Sequence, residues 1–433
     1  GAGVFPYDRP ERATSSVQAA IDAVYPDAEN PSTVEVAAGT YDETAKKIFL
    51  NTSCRHVFVL KPVRIVGEDR ETTHFDFATW SSLALGGFHL AHPQATLSGV
   101  RISNCLGGKD GWQENASALD VIAGCATNVS VSGSKIEATH TMPLVVVRAK
   151  GVLEDSFVGD NAVVYKVGYT GWGRNVMGVY VNGGTVRRTA VCRNIPGAGY
   201  TDKFSVIGMR VTGATAHVSD CLIEGNLYNG GTWTSMSAAG LYQENGLVER
   251  CIVQCNTNAL TTAAAKSAGG VYFGGGTLRN CLIAGNVSRY KATVDVGAAT
   301  AKLTMINCTV VDNVASDTAS AGVGGVVSAD HSYVSYATVE NCIFHNNKLG
   351  GVEVDLPTGM NRIDLTISNT RFAEAADYPS AGNLADDPQL RTSRKRKYTL
   401  RPSSPCIDAG ADLDWTRDDR DLAGQPRWVG RAV

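Results

Sequence analysis

No apolar run in this chain is long enough to span a bilayer. No two cysteines stand in CxxC spacing, and no P-loop, GxSxG or HExxH motif occurs. Those absences remove the commonest zinc, nucleotide and serine-hydrolase signatures. Aromatic residues are sparse at 7% and charged residues modest at 19%, with a net charge of -3. A chain without a basic surplus is not a nucleic-acid binder, because phosphate binding rests on a basic surface. The opening "GAGVFPYDRP" has neither a charged n-region nor an apolar h-region, so no signal peptide is read there. That fits a cytoplasmic protein or the mature form of an exported one. Eleven cysteines is an odd number, so at least one is unpaired or pairs between chains.

What the chain has in quantity is glycine, 46 of 433 residues, with many small and β-branched residues. That composition suits short strands joined by turns. A repeat organises them. "VSDCLIEGN" (Val218 to Asn226), "VERCIVQCN", "LRNCLIAGN", "MINCTVVDN" and "VENCIFHNN" share one template: apolar, two variable, Cys, any, Ile or Val, two variable, Asn. Weaker copies upstream put Val100, Ser134, Ser156 and Thr189 in the Cys slot, and Thr370 follows downstream. The slot recurs at intervals of 22 to 34 residues, the mark of a solenoid with variable loops.

Each copy alternates apolar and variable residues, which is a strand period. A second strand precedes most copies: "MGVYV", "IGMRV", "AGLYQ", "GGVYF", "VGGVV". Coils of short strands stacked about 4.8 Å apart make parallel sheets along the axis. The slot residues then face inward and stack on their own kind, and Asn at a fixed turn satisfies backbone groups. Cys221, Cys251, Cys281, Cys308 and Cys342 could in principle carry metal or redox chemistry. Thr, Ser and Val share their slot, which a ligand or nucleophile would not tolerate, so the column reads as packing.

This pattern resembles the right-handed parallel β-helix superfamily, the pectin-lyase-like fold, over almost the whole chain. "SSVQAAIDAVYPDAENPSTVEVAAGTYDE" resembles the family's opening, a short amphipathic helix followed by a first strand, with Val17, Ile21 and Val24 on the helix's buried face. "GNLADDPQL", "YTLRPSSPCIDAG" and "DLAGQPRWVGRAV" resemble the C-terminal segment of bacterial surface β-helix proteins of the choice-of-anchor type. The resemblance implies an all-β chain: a cap over 1–45, a single right-handed solenoid of about ten or more coils over 46–375, and an irregular cap over 376–433. It also implies an extracellular or bacterial cell-surface protein.

A filled solenoid does its chemistry on a sheet face or in loops. If Val179, Met209, Leu241 and Val271 point in, period two sends Tyr180, Arg210, Tyr242 and Tyr272 out. Asp120 falls in the same lane and Arg148 near it. In the polysaccharide lyases and hydrolases that this chain resembles, the working residues lie on or just before this strand. That resemblance makes Arg210 the leading catalytic candidate, with Tyr180 and Tyr242 beside it and Asp202, Lys203 and Glu244 close in sequence. Tyr suits proton transfer, and Arg suits the charge that builds at a uronate carboxylate. The bland alternative is a solvated strand face with cross-strand aromatic packing.

Glycine-rich loops after the Asn turn carry Trp112, Tyr169, Trp172, Arg174, Tyr228 and Trp233, with Tyr200 and Tyr290 similarly placed. Flat apolar rings with polar edges suit stacking on sugars, so these residues are candidate substrate contacts together with Tyr272, Asp120 and Arg148. The basic run "RTSRKRK" (Arg391 to Lys397) reads either as a solvated loop or as a contact for an anionic glycan or surface. His140, His331 and His345 are scattered. No cofactor is expected; "DDRD" (Asp418 to Asp421) could take calcium but lacks EF-hand spacing.

Two functions fit. One is an exported enzyme acting on a complex polysaccharide, a lyase or a glycoside hydrolase. The family's paired-aspartate hydrolase motifs and calcium-carboxylate clusters are missing, and hydrolysis would need two suitably spaced carboxylates, for which Asp202 and Glu244 are the nearest nominees. The other is a non-catalytic glycan-binding adhesin or structural surface module. Its partner in either case is a glycan.

Overall fold

A computed structural model describes residues 9–42, 54–77, 84–105, 117–134, 137–138, 143–162, 164–165, 176–196, 206–229, 237–259, 267–288, 294–296, 303–315, 328–329, 336–347, 364–373, 375, 382–393, 397–413, 419–422 and 424–426. The chain divides into two compact units: unit 1 is 1–217 with 230–232, and unit 2 is 218–229 with 233–433. Each unit is built of parallel strands stacked as a right-handed β-helix, as the repeat implied. Among the described residues, no helix is long and apolar enough to cross a membrane.

Unit 1 opens on helix α1 (Val17–Ala23). Ser16 caps it by accepting the Ala19 N–H, and Val17, Gln18 and Ile21 are buried. Val24, expected on that buried face, is instead the half-buried C-cap. Gln18 takes part in the core in its place. Its side chain accepts from Phe58 N at 2.7 Å and donates to Phe58 O at 3.4 Å, so a carboxamide stands where a neighbouring strand would be. Lys61 Nζ donates to Val24 O at 2.9 Å and Ile21 O at 3.2 Å, satisfying carbonyls at the helix end.

The main ladder of unit 1 runs through Cys54–Val59, Ala84–Leu90, Leu119–Ser132, Val145–Glu154, Val179–Asn182 and Met209–Thr212, each parallel to the next. Unit 2 builds three equivalent ladders. One links Leu241–Gln243, Val271–Phe273 and Val294–Val296. Another links Leu247–Glu249, Gly276–Arg279, Leu303–Ile306, Tyr336–Glu340 and Asp364–Ser368. The third links Leu222–Glu224, Ile252–Gln254, Leu282–Ala284, Thr309–Val311 and Ile343–His345.

Inside unit 2 the repeat becomes two columns. Cys221, Cys251, Cys281, Cys308 and Cys342 are all buried free thiols. Burial pushes the Cys281 and Cys342 thiols well up, so they stay protonated and behave as small core residues. Beside them Asn226, Asn256, Asn286, Asn313 and Asn347 form a ladder. The Oδ1 of Asn256, Asn286, Asn313 and Asn347 each accepts both the backbone N–H and the Nδ2 of the asparagine one rung before, at 2.9 to 3.2 Å. The Nδ2 of Asn256, Asn286, Asn313 and Asn347 also donates to a strand carbonyl, those of Ile223, Val253, Ile283 and Val310. The buried polar inventory of the turn is thereby closed.

The template's second variable residue, before the Cys slot and again before the Asn, has a structural meaning. Both positions are left-handed turns, with φ of 56° at Asp220 and 65° at Gly225 in one rung and 54° at Asn280 and 60° at Gly285 in another. Asn, Asp and Gly occupy most of them because short polar side chains and glycine tolerate that backbone. Arg188, Arg193, Arg250 and Cys255 occupy the rest. Three of those arginines form bidentate forks with the aspartate of the preceding rung: Arg188 with Asp155, Arg193 with Asp160, Arg250 with Asp220.

The solenoid has about seven turns rather than ten or more. Ser134 is not in the Cys slot: its N–H donates to Asn161 Oδ1 at 3.1 Å, which puts it in the Asn column. The slot residue of that rung is Val129, in register with Val100 and donating its N–H to Ser156 Oγ. Beyond Thr370 the pairing shrinks to single bridges, Arg371 with Ile343 and with Leu384.

Candidate functional site

The ladder of unit 1 sets Phe58, His89, Asp120, Val146, Tyr180 and Arg210 in one lane, residue against residue. Their strand neighbours Val59, Leu90, Leu119, Val121, Val145, Val147, Val179, Val181, Met209 and Val211 are fully buried core. Period two then turns the lane away from that core.

Asp120 is the centre of the lane. Its side chain has no exposed surface. Arg148, two residues beyond Val146, reaches it with Nε at 3.0 Å from Oδ1 and Nη2 at 3.3 Å from Oδ2. His89 Nδ1 lies 3.3 Å from Oδ2, close enough for an ion pair but poorly aligned as a hydrogen bond. Burial alone would raise the Asp120 pKa. The close contact of His89 and the hydrogen bonds and charge of Arg148 outweigh it, so the carboxyl is held below its ordinary value and stays ionised. Arg148 keeps a quarter of its side chain accessible while Asp120 holds its guanidinium. Phe58 sets its ring against the His89 imidazole, centroids 5.3 Å apart in an edge arrangement.

Further along the lane, Thr212 Oγ1 donates to Tyr180 Oη at 3.0 Å. The Arg210 guanidinium sits 5.9 Å from the centre of the Tyr180 ring, within cation–π range. Tyr180 is buried and Arg210 half-buried. The lane is largely buried, and Arg210 packs on Tyr180 across neighbouring strands.

Unit 2 carries a lane of a different kind. Tyr242 and Tyr272 pair in register and stack with centroids 4.7 Å apart and planes 12° apart. Both are buried, at 3% and 1% exposure, so the stack acts as packing and offers no open platform. Gln243 is fully buried and donates to Gly246 O and Thr277 O. Glu244 stands half-buried just beyond the strand.

The other sequence candidates divide sharply. Tyr228, expected to face a sugar, is fully buried. Asp120 is likewise enclosed and acts on its surroundings only through Arg148 and His89. Asp202, Lys203, Trp112, Tyr169, Trp172, Arg174, Tyr200, Tyr290 and Trp233 lie outside the described residues. Two lane residues were missed, His89 and Phe58. "GGFHL" carries the same signal as "SALDV", a small residue and then alternating apolar and outward positions, and could have revealed His89. Among the described residues, no group of three or more His, Cys, Asp or Glu side chains is placed to hold a metal.

Residues 197–372 match the family model of the right-handed β-helix region. No curated protein matches the chain. Among solved structures, the pectate lyase Pel9A is similar at 13% identity and a TM-score of 0.40, over 94% of this chain and 88% of that one. ORF18 of Geobacillus virus E2 is similar at 12% identity and a TM-score of 0.31, over 82% of this chain. This chain spans 55% of the length of that viral protein.

Proposed function

We propose that this chain acts on a uronate-containing polysaccharide through the lane of unit 1, with cleavage by β-elimination, outside the cell or at a bacterial surface. The observation that carries the reading is Asp120, a fully buried, ionised carboxylate gripping Arg148 and His89 on a face turned away from the core. Burying a charge costs several kcal/mol even when it is paired, about what a hydrophobic replacement would save, and Val146 shows that the lane accepts an apolar residue. A perturbed, buried charge network on an outward face is therefore a functional candidate.

The chemistry follows from the residue types. A guanidinium held by Asp120 and partly accessible is a suitable partner for a substrate carboxylate. Neutralising that carboxylate acidifies the neighbouring C5–H of a uronate. A base then removes this proton as the glycosidic oxygen leaves from C4 and a C4–C5 double bond forms. Arg148 and Arg210 supply positive charge on this face, and Tyr180, beside Arg210, is the group proposed to pass a proton to the leaving oxygen. Hydrolysis is less well supported. It needs two carboxylates, and the lane residues of unit 1 include one, Asp120, already engaged by two partners.

The test is a panel of uronate polysaccharides scored for new reducing ends and for the ultraviolet absorbance of unsaturated uronates. Both signals should rise with the native chain and fall strongly in Arg148→Gln and Arg210→Gln. Reducing ends without unsaturated products would replace the lyase by a hydrolase. No cutting, with glycan binding that disappears in Trp172→Ala/Trp233→Ala, would leave a binding module.

A further inference from the structure

The described ends of the basic run, 391–393 and Lys397, belong to two antiparallel segments of unit 2 that form a two-faced hairpin. Leu390 and Leu400 form an antiparallel bridge, and Arg391 N donates to Thr399 O at 2.8 Å. Opposed residues of a hairpin share a face and their neighbours take the other. Leu390 and Leu400 accordingly line a cavity of about 870 Å³ together with Ile252, Leu282 and Ile343 of the solenoid sheet. Arg391 and Arg401 line a separate concavity of about 350 Å³ on the other side, with Thr392, Ser393, Pro402 and Ser403. Tyr398 Oη anchors the hairpin by donating to Asp312 Oδ2 at 2.9 Å, so the arginine face is held on a fixed support.

The electrostatics of this hairpin oppose those of the chain as a whole. From Arg391 to Arg401 six of eleven residues are Lys or Arg and none is acidic, within a protein of net charge -3. Arg391 Nε makes a long contact, 3.4 Å, to Leu400 O. Among the described residues, neither Arg391 nor Arg401 is in an ion pair, whereas Arg148, Arg187, Arg188, Arg193, Arg250 and Arg279 all are. Two guanidiniums without carboxylate partners line one concavity with the hydroxyls of Thr392 and Ser393, while the Ser403 hydroxyl donates to Gln389 Oε1, and together they make a site for an oxyanion.

From this geometry we infer that the Arg391–Arg401 concavity is a binding site for the charged group of an anionic glycan, a sulfate ester or a uronate carboxylate. Its volume is at the small end of ligand sites, suited to one charged sugar rather than an extended backbone. The overall negative charge disfavours a nucleic acid, and Pro402 is the one apolar residue among the six that line the concavity, too little to insert into a lipid layer. The site lies within unit 2 and holds whether or not the lane of unit 1 cuts anything.

The full chain should bind heparin, used as a sulfated probe, with an affinity that falls as salt rises, and should ignore neutral dextran. Arg391→Ala/Arg401→Ala should weaken heparin binding by about tenfold or more. Arg391→Lys/Arg401→Lys should recover only part of it, because lysine keeps the charge but loses the fork. An unchanged denaturation midpoint in both variants separates lost binding from lost folding. Polygalacturonate in a parallel titration distinguishes carboxylate from sulfate. Heparin affinity unchanged in the double alanine variant would overturn the site. So would RNA or anionic vesicles binding more tightly than either glycan in an arginine-dependent way.

Discussion

The two units use the same rung differently. In unit 2 the inward columns are almost uniform, with Cys in the slot from Cys221 to Cys342 and Asn at the turn from Asn226 to Asn347. Its outward lane holds a buried pair of stacked tyrosines. In unit 1 the slot passes through Val100, Val129, Ser156 and Thr189, and the Asn column through Ser134, Asn161 and Asn194. There the outward lane holds Asp120, Arg148 and His89. Among the described side chains, the regular stretch stacks two tyrosines in its lane, where the ragged stretch holds a buried charge network. Regularity and chemistry compete for the same positions, because a self-stacking column leaves no room for a residue chosen for a substrate.

That contrast can be broken most forcefully at Asn286. Asn286→Ala would strand Asn256 N and Nδ2 and the Val253 carbonyl inside the core, at a cost of about 4 kcal/mol. A urea titration should show the loss, while any polysaccharide cutting by the surviving folded protein stays at native level. Loss of cutting at full occupancy of the folded state would mean that the scaffold and the lane are not separable.

Asp120→Ala should cost somewhat less stability, about 3 kcal/mol, but abolish cutting. Its pH signature is fixed by sign. The folded-state pKa of Asp120 lies below its ordinary 3.8, so its stabilisation is present above that value and is lost as pH falls through the lower folded value. Asp120→Asn should flatten that part of the acid-unfolding curve, measured by circular dichroism between pH 5 and pH 2 (roughly the window of a salt-bridged Asp). An unaltered acid limb would show that Asp120 is not the ionised anchor of the lane.

A smaller effect is expected at the thiols. Cys281→Thr should change stability by about 1 kcal/mol or less, since Thr189 and Thr370 fill equivalent slots, whereas Cys281→Leu should overpack the column and cost about 2 kcal/mol. Thermal denaturation of the two variants makes the comparison. If Thr were as damaging as Leu, the column would have a role beyond packing. The smallest effect belongs to Arg188→Ala. Its fork with Asp155 is half exposed, so the denaturation midpoint should move within error at moderate salt.

The rung was legible in sequence wherever its signature residues were present. The Cys–x–Ile/Val–x–x–Asn spacing placed Cys221 and Ile223 in the core and Asn226 at its turn, and period two placed Asp120, Tyr180 and Arg210 in one lane. The misplacement of Ser134 has a physical origin. The true slot residue, Val129, looks like any strand valine, while Ser134, five positions on, can make the turn's hydrogen bonds in place of Asn. His89 was overlooked because its strand precedes the clear repeats. Burial was the larger gap. Periodicity gives the direction of Tyr228, Tyr242 and Tyr272 but not what covers them, and all three are enclosed. The hydrogen bonds that Arg148 donates to Asp120 link two neighbouring strands, a relation that spacing along one strand does not express.

The asparagine ladder has one more consequence. Each carboxamide reads only the rung on either side, and every rung offers the next the same two N–H groups and the same oxygen. The joint is thus identical wherever it is cut. A whole rung of about thirty residues could be duplicated or deleted between Asn226 and Asn347 and the neighbours would meet as before. The length of this stretch is then a tape measure that inheritance can lengthen or shorten in whole steps, changing how far apart its two ends are held without redesigning either of them.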